Sequence, residues 1–304
     1  MSIERKCKVI IPTFFPGKII LKCIASIPKK FPIIILDNAD NDNYLHKIIK
    51  KIKRNIKIYN VGDIGVAKSF NFAIENIKSK FFFITQPDVV LKKNCIEKLY
   101  KVSNKSSNIA ISSPLVFEKN VYSNFDYYNL KILNNNRLAK KQIKKQKDVL
   151  IPKIDFFVEA INSTALLVNT SIVKKIGSWD KNFYTYLEDI DISLRIRQNG
   201  YFIKKIVNAR VDHLGFSSNQ GVNKERSEKS RNWHFTWSSI YFVKKHYDIY
   251  YFFFIFFQKM FKYFLKTLIN VILLKRKKAV LNFLRLHACF SFILNKSFIY
   301  KIKN

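Results

Sequence analysis

The feature that most constrains this chain is a rhythm across its first 115 residues, where short apolar runs alternate with longer amphipathic ones. Lys8–Ile11, Pro32–Leu36, Ile56–Tyr59, Phe81–Thr85 and Asn108–Ser112 have the character of strands. Lys18–Ile27, Tyr44–Lys53, Val66–Lys78 and Lys93–Val102 have the periodicity of helices between them. Such alternation predicts an α/β fold with a mainly parallel sheet covered by helices on both faces. Ligands of these sheets bind beyond the carboxyl ends of the strands. The residues found there are Pro12-Thr13, Asp37-Asn38, Asp63-Ile64-Gly65 and Gln86-Pro87-Asp88. A single acid at a strand end is an ordinary turn residue, but acids at three of these four ends point to a site. Asp37 is placed to accept hydrogen bonds from a base or ribose. Asp88 closes a very apolar strand, where a lone carboxylate is costly to bury. A divalent cation bridging a diphosphate offsets that cost, since Mg²⁺ commonly takes one or two carboxylates plus phosphate oxygens.

Further along, Asn134–Asp148 is basic, rich in Asn and poor in apolar residues, which predicts a surface loop. Strand-like runs follow at Asp155–Val158 and Ser163–Val168, then a short helix around Ser171–Ile176. Phe183 to Gly200 predicts a helix with Glu188, Asp189 and Asp191 near its start and Gly200 as its stop. Leu187, Ile190 and Leu194 are expected on its buried face, widened by Ile192 and Ile196. Acids early and Arg195 and Arg197 late suit the helix dipole, and Asp191 is expected to cap or pair locally. Tyr201–Val207 reads as another strand.

Charge enters at the C-terminal end. The chain carries a net charge of +34, and from Ile240 onward 13 Lys/Arg face a single acid, Asp248. Within Ile249–Leu274, Phe, Tyr, Ile and Leu dominate, while Lys259, Lys262, Lys266 and Asn270 recur at helical spacing. The longest uncharged run, Ile249–Gln258, is too short to span a bilayer. A basic stripe on an apolar helix, followed by Lys275-Arg276-Lys277-Lys278, predicts a helix lying in an anionic membrane interface across residues 249–278. The four cysteines have no metal-ligand or framework spacing and read as buried thiols of a reducing compartment. The start of the chain has no secretory signal pattern, so a cytoplasmic protein on the inner face of the plasma membrane is expected.

Five segments in order resemble the inverting glycosyltransferases of family 2, which have a GT-A fold. They are VIIPTF (9–14), IIILDN (33–38), DIGVAKSFN (63–71), ITQPDVV (84–90) and YLEDIDISLRIRQNGY (186–201). The resemblance implies a GT-A domain over residues 1–239, divided into a nucleotide-sugar half (1–115) and an acceptor and catalytic half (116–239). The remainder, 240–304, is a basic, aromatic-rich helical tail. It implies that Asp37 holds the nucleotide base with Pro12, Thr13 and Asn38 beside it, and that Asp63, Gly65, Lys68, Asn71 and Gln86 line the donor. Asp88, the last acid of a DxD-like motif whose first position is Gln86, would bind Mg²⁺ or Mn²⁺ together with His213 of HLGFSS. Asp189 resembles the general base, with Glu188 beside it toward the acceptor, and Trp179 is a candidate for stacking on the acceptor sugar.

The activity so implied is transfer of a sugar from a nucleotide-sugar donor to a hydroxyl of a saccharide acceptor, with inversion. Gln-Pro-Asp is similar to the Asn-Pro-Asp of transferases for rhamnose and related sugars. Low Gly content with abundant Lys, Asn, Ile and Phe suits a bacterial surface-polysaccharide cluster of the O-antigen kind, where acceptors are lipid-linked. Two other classes were weighed. A nucleic-acid-binding protein would account for the charge but not for acids gathered at strand ends, and no nucleic acid is expected as partner. A sugar nucleotidyltransferase would want a Gly-rich, basic loop after the first strand, where only Pro12-Thr13-Phe14-Phe15-Pro16-Gly17 is found.

Overall fold

The structure is a computed structural model that describes residues 2–39, 42–122, 151–215 and 223–294. The expected loop at Asn134–Asp148 lies outside the described residues. The chain divides into two compact units, Met1–Ile64 with Lys68–Asp180 and Asp189–Gly221, and Gly65–Ala67 with Lys181–Glu188 and Val222–Asn304. The boundary expected at 239 falls inside a continuous helix of the second unit.

The first unit opens with a helical turn α1 (Ile3–Lys6) and continues β1 (Cys7–Thr13), α2 (Ile19–Ser26), β2 (Ile33–Asp37), α3 (Asn43–Lys50) and β3 (Ile56–Asn60). Then come α4 (Val66–Asn76), β4 (Phe81–Thr85), β5 (Val89–Leu91), α5 (Cys95–Ser103) and β6 (Ile109–Glu118). The alternation read from the first 115 residues is therefore observed, with β5 added and β6 running six residues past its expected end at Ser112. After β6 follow β7 (Val121–Tyr122), β8 (Phe156–Val158), β9 (Ala165–Asn169), α6 (Thr170–Lys175), α7 (Glu188–Gln198) and β10 (Phe202–His213). β10 extends six residues beyond the expected strand, which carries His213 to its end.

The strands form one mixed sheet in the order β3-β2-β1-β4-β9-β6-β10-β5, with β7 on β6 and β8 on β10. β1 pairs in parallel with β2 and β4, β2 with β3, and β6 with β10, whereas β9 runs antiparallel to both β4 and β6. Two successive reversals through β9 restore direction, so β6 and β10 point the same way as β1 to β4. All their carboxyl ends consequently share one edge. Every residue of the inner strands β2, β4 and β9 is buried, as continuous apolar runs covered on both faces should be. The outermost strand, β3, is only partly buried and alternates Ile56, Ile58 with Lys57. Burial pushes the Cys7, Cys23 and Cys95 thiols up to about 12.

Helix α7 is shorter than expected. Tyr186 and Leu187 have positive φ, 68° and 66°, so the helix starts only at Glu188. Its most buried side chains are Ile192, Ser193 and Ile196 with Asp191, while Leu187 and Leu194 are half-buried. Asp191, fully buried, pairs with Arg195 Nε at 2.9 Å, and the same guanidinium donates to the Ile176 and Ser178 carbonyls at 2.9 and 2.6 Å. That local pairing was expected of Asp191.

The second unit comprises α8 (Lys224–His246), α9 (Ile249–Ile272) and α10 (Arg276–Ile293), capped by Asn223 and Asp248 at the starts of α8 and α9. Trp233, Trp237, Ile240, Phe252, Phe256, Cys289 and Phe292 form its core. The segment before Glu188 is fastened to α8: Tyr184 stacks on His234, and Ser238 Oγ donates to Thr185 O at 2.8 Å.

One residue ties the end of α2 to the sheet. Arg54 donates to the carbonyls of Ile24, Ile27 and Pro28 at 2.6–2.7 Å and to Phe31 at 3.4 Å, satisfying oxygens that the helix end leaves without partners. Arg54→Leu is expected to lower unfolding free energy by ~1.5–3 kcal/mol in urea titrations, since bonds from a charged donor are lost and buried carbonyls left bare. A change within measurement error would show that these carbonyls find other partners.

Candidate active site

The shared carboxyl edge brings the strand-end residues together. Parallel register sets Thr13 beside Asp37, and Asp37 beside Asn60. Pro12 is the penultimate residue of β1, half-buried and in register with Leu36. Asp37 is fully buried; its Oδ1 accepts from Ala39 N at 3.0 Å. Its Oδ2 is buried, accepts no hydrogen bond among the described residues and lies 3.6 Å from His46 Nε2. Burial raises the Asp37 carboxyl above the ordinary value, against the opposing pull of the Ala39 amide and His46.

Thr13 and Asn38 brace this edge from within. Thr13 Oγ1 and Asn38 Nδ2 both donate to Leu36 O, at 3.4 and 3.2 Å, and Asn38 Oδ1 accepts from Ser69 Oγ at 2.5 Å. Asp63 and Lys68 are half-buried in the turn after β3 and the first turn of α4. Gly65 has φ +83°, and a Cβ there would collide with the Tyr184 carbonyl and ring, so only glycine fits. Gln86 is half-buried; its main chain accepts from Val89 N at 3.3 Å, forming the turn that presents Asp88.

Asp88 meets His213 through strand pairing. β5 runs antiparallel to β10 with Val89 opposite His213, and Leu214 N donates to Asp88 O at 2.9 Å. The side chains follow: His213 Nε2 lies 3.6 Å from Asp88 Oδ2, while Nδ1 is 2.8 Å from Glu118 Oε1 at the end of β6. Burial disfavours the imidazolium, yet the two carboxylates outweigh it and raise the His213 pKa. With Nδ1–H donated to Glu118, Nε2 faces Asp88, whose carboxylate favours a proton there, and the neutral ring would offer that nitrogen's lone pair to a cation. A carboxylate oxygen and an imidazole nitrogen are a donor set that suits Mg²⁺ or Mn²⁺. Among the described residues no three His, Cys, Asp or Glu side chains are grouped to hold a metal, so other ligands would have to come from phosphate oxygens or water.

Asp189 lies in the first turn of α7, half-buried. Its Oδ1 accepts from Ile190 N at 2.9 Å and its Oδ2 from Ser163 N at 3.3 Å. Ser193 Oγ donates to Asp189 O at 2.6 Å and accepts from Ile161 N at 3.3 Å, fixing the turn. Desolvation dominates the two amides, so the carboxyl is pushed up to about 6. Glu188 is buried at the helix start.

Two of the expected site residues are engaged with one another. The Trp179 ring is 1% exposed and packs edge-on against Phe70, so it presents no face for a sugar. Asn71 uses both ends of its amide on the Trp179 main chain, donating at 2.8 Å and accepting at 3.0 Å. Glu118, Ser69 and Ser163 were missed in the sequence. Glu118 had one available signal, its place at the end of an apolar strand on the carboxyl edge.

A family profile described as Glycosyl transferase family 2 matches residues 8–163, and Asp189 and His213 lie beyond it. Glycosyltransferase GlyG of Streptococcus pneumoniae serotype 4 is 25% identical over 128 residues, 40% of this chain and 42% of that protein. The chain thus matches less than half the length of this curated relative. Among solved structures, GalNAc-T7 with UDP, GalNAc and Mn²⁺ superposes with a TM-score of 0.54 at 15% identity, covering 70% of this chain and 44% of that one. S. aureus TarS in complex with UDP-GlcNAc is similar at a TM-score of 0.48 and 14% identity, over 76% of this chain and 65% of that one. The superposition on GalNAc-T7 shows the fold, the mixed α/β GT-A architecture with helices after it.

The raised Asp189 carboxyl has a consequence for stability. Between about 3.8 and about 6 the folded chain keeps a proton that the unfolded chain has released. This group therefore lowers stability as pH rises through that window, and the loss is complete above it. Asp189→Asn, which never ionises, should be more stable than wild type near neutral pH by up to ~3 kcal/mol. In thermal melts the gain should shrink as pH falls from about 6 toward about 4. A variant less stable than wild type at every pH would refute the assignment of burial as the cause.

Proposed function

The chain belongs to glycosyltransferase family 2, and on that premise we propose that it is an inverting transferase moving a sugar from a nucleotide donor to a saccharide hydroxyl. The observation that carries this reading is the carboxyl edge itself. Asp37, with a buried oxygen that accepts no described hydrogen bond, is suited to a donor N–H of the base. Asp88 and His213 are positioned beside one another for the diphosphate, and Asp189 has a carboxyl near pH 6 at the start of a helix.

In the proposed reaction Asp189 accepts the proton of the acceptor hydroxyl. That oxygen bonds to the anomeric carbon as the bond from carbon to the diphosphate oxygen breaks, and the nucleoside diphosphate leaves with the electron pair. The displacement inverts the anomeric centre without a covalent enzyme intermediate. Asp88 and His213 would hold Mg²⁺ or Mn²⁺, which when bound supplies Lewis-acid charge to the departing diphosphate. Thr13, Asn38 and Ser69 keep the strand ends in register under the base. Asp63, Gly65, Lys68 and Gln86 remain proposed donor-side positions, and Glu188 an acceptor-side one. A uridine diphosphate sugar is the first donor to try, because the GalNAc-T7 structure holds UDP and Mn²⁺.

For the acceptor we propose a lipid-linked saccharide of a bacterial surface polysaccharide, met at the inner, anionic face of the plasma membrane. The support is the basic, aromatic C-terminal third of the chain. No helix of the described residues is long and apolar enough to cross a membrane.

Thermal shift with a panel of nucleoside diphosphates and nucleotide sugars, with and without Mn²⁺, tests the donor site. One nucleotide should give a metal-dependent rise that Asp88→Ala loses. Asp189→Asn should keep that rise and lose ~10²–10⁴-fold in transfer. Because only the ionised base accepts a proton, wild-type transfer should fall as pH drops through about 6. Stabilisation by oligonucleotides alone would overturn the reading, and unchanged turnover in Asp189→Asn would remove that residue from the chemistry.

A further inference from the structure

Helix α9 is divided lengthwise into three faces, one of them packed into the core of its own unit. At 100° per residue, Phe252, Phe256, Met260 and Tyr263 share the face that packs against Trp233, Trp237, Cys289 and Phe292. A second face carries Phe254, Phe257, Phe261, Phe264, Leu268 and Ile272, spaced i, i+3, i+7, i+10, i+14 and i+18. Their exposures are 62, 54, 62, 47, 45 and 78%. The third face bears Gln258, Lys262 and Lys266, all exposed. The apolar arc therefore runs the length of the helix with a basic row along one edge. Lys275, Arg276, Lys277 and Lys278 stand just past its C-terminal end, Lys277 paired with Glu228 at 2.8 Å. α10 adds exposed Phe283 and Phe290.

Large aromatic side chains in such a continuous row are costly to leave in water. Two occupants could cover them, an anionic bilayer surface or a second copy of the chain. Charge decides between them. From Ile240 onward 13 Lys/Arg face one acid, so a two-fold contact through this patch would bring like charges together. An anionic bilayer supplies acyl chains for the arc and phosphates for its edge.

We propose that α9 lies in the plane of an anionic membrane, with the Phe254–Phe257–Phe261–Phe264–Leu268–Ile272 arc below the phosphates and Lys262 and Lys266 reaching up to them. Long lysine stems allow that reach while the backbone stays at the boundary. This deepens the membrane part of the proposed function and rests on it, but it is independent of the transfer chemistry.

The test is co-sedimentation of the full chain with vesicles of phosphatidylcholine containing phosphatidylglycerol, compared with phosphatidylcholine alone. Wild type should bind the anionic vesicles selectively, and Phe257→Ser/Phe261→Ser/Leu268→Ser should bind them at least about tenfold more weakly. All three sites are exposed, so the variant should keep its melting profile. A nitroxide at Phe261→Cys should become shielded from a water-soluble quencher on vesicles, and one at Lys266→Cys should not. Retention of the triple variant equal to wild type, or equal binding to neutral vesicles, would overturn the proposal. So would a wild-type dimer in sedimentation velocity that the triple variant converts to monomer. The nucleotide thermal shift of the triple variant separates the two readings: vesicle binding lost with the shift intact leaves the transferase standing, and a missing shift in wild type fails that reading alone.

Discussion

The candidate site depends on strand direction. Each strand of a parallel sheet delivers its last residue to the same edge, and here β9 supplies the single reversed strand between β4 and β6. Because β9 is reversed against both neighbours, β6 and β10 recover the direction of β1, β2 and β4. Were β9 missing, β6 could lie beside β4 in parallel only through a separate crossover, as parallel neighbours require. As built, Thr13, Asp37, Glu118 and His213 reach one edge as the last residues of their strands, and Asp88 stands in the short turn between β4 and β5. The side chains are then set by register, with Thr13 opposite Asp37 and His213 opposite Val89. Backbone hydrogen bonds in regular strands hold position more tightly than loops do, which suits groups that must meet within a few tenths of an ångström.

Burial at that edge creates the electrostatics. Asp37 and Asp189 are both raised by desolvation, and both are held by backbone amides that oppose the rise. For Asp189 the balance leaves a carboxyl near 6, high enough to accept a proton and low enough to be ionised near neutrality. Asp191, two residues on, is fully buried and has Arg195 at 2.9 Å. Two carboxylates in one helical turn thus have different environments, because one has a cation and the other only amides. Charge partners, and not residue type, tell them apart.

This distinction explains what the sequence could and could not disclose. The alternation of Lys8–Ile11, Pro32–Leu36 and the strands after them was legible because continuous apolar runs of strand length bounded by turn residues have few other uses. The acids at Asp37 and Asp88 followed from it. Glu118 was legible only as a strand-end acid, since the partner that gives it meaning, His213, is 95 residues away and meets it through the parallel pairing of β6 with β10. The mutual engagement of Trp179 and Asn71 was hidden for the same reason. An aromatic ring and an amide carry no mark of whether they face solvent, and the two residues engage each other across 108 positions. The start of α7 was placed too early because Tyr186 and Leu187 fit a helical pattern in side-chain type while their backbones take positive φ.

Helix α9 presents the converse problem, since its pattern was visible but its meaning depended on a partner. A lengthwise run of Phe and Leu reads as core on one face, yet of the phenylalanines of this helix only Phe252 and Phe256 belong to the buried core of the second unit. The remaining aromatic residues exceed what three helices can cover, because a helix packed on one side of a small bundle buries only about a third of its circumference. Phe254, Phe257 and Phe261 are exposed, so polar side chains there would cost no packing within the unit. Lys262 and Lys266 beside them make random accumulation of apolar residues a poor account as well, since the charges stay on one edge and do not interrupt the arc. An apolar arc with a one-sided basic border is what an interface between acyl chains and phosphates selects, where each face of a helix meets a different solvent.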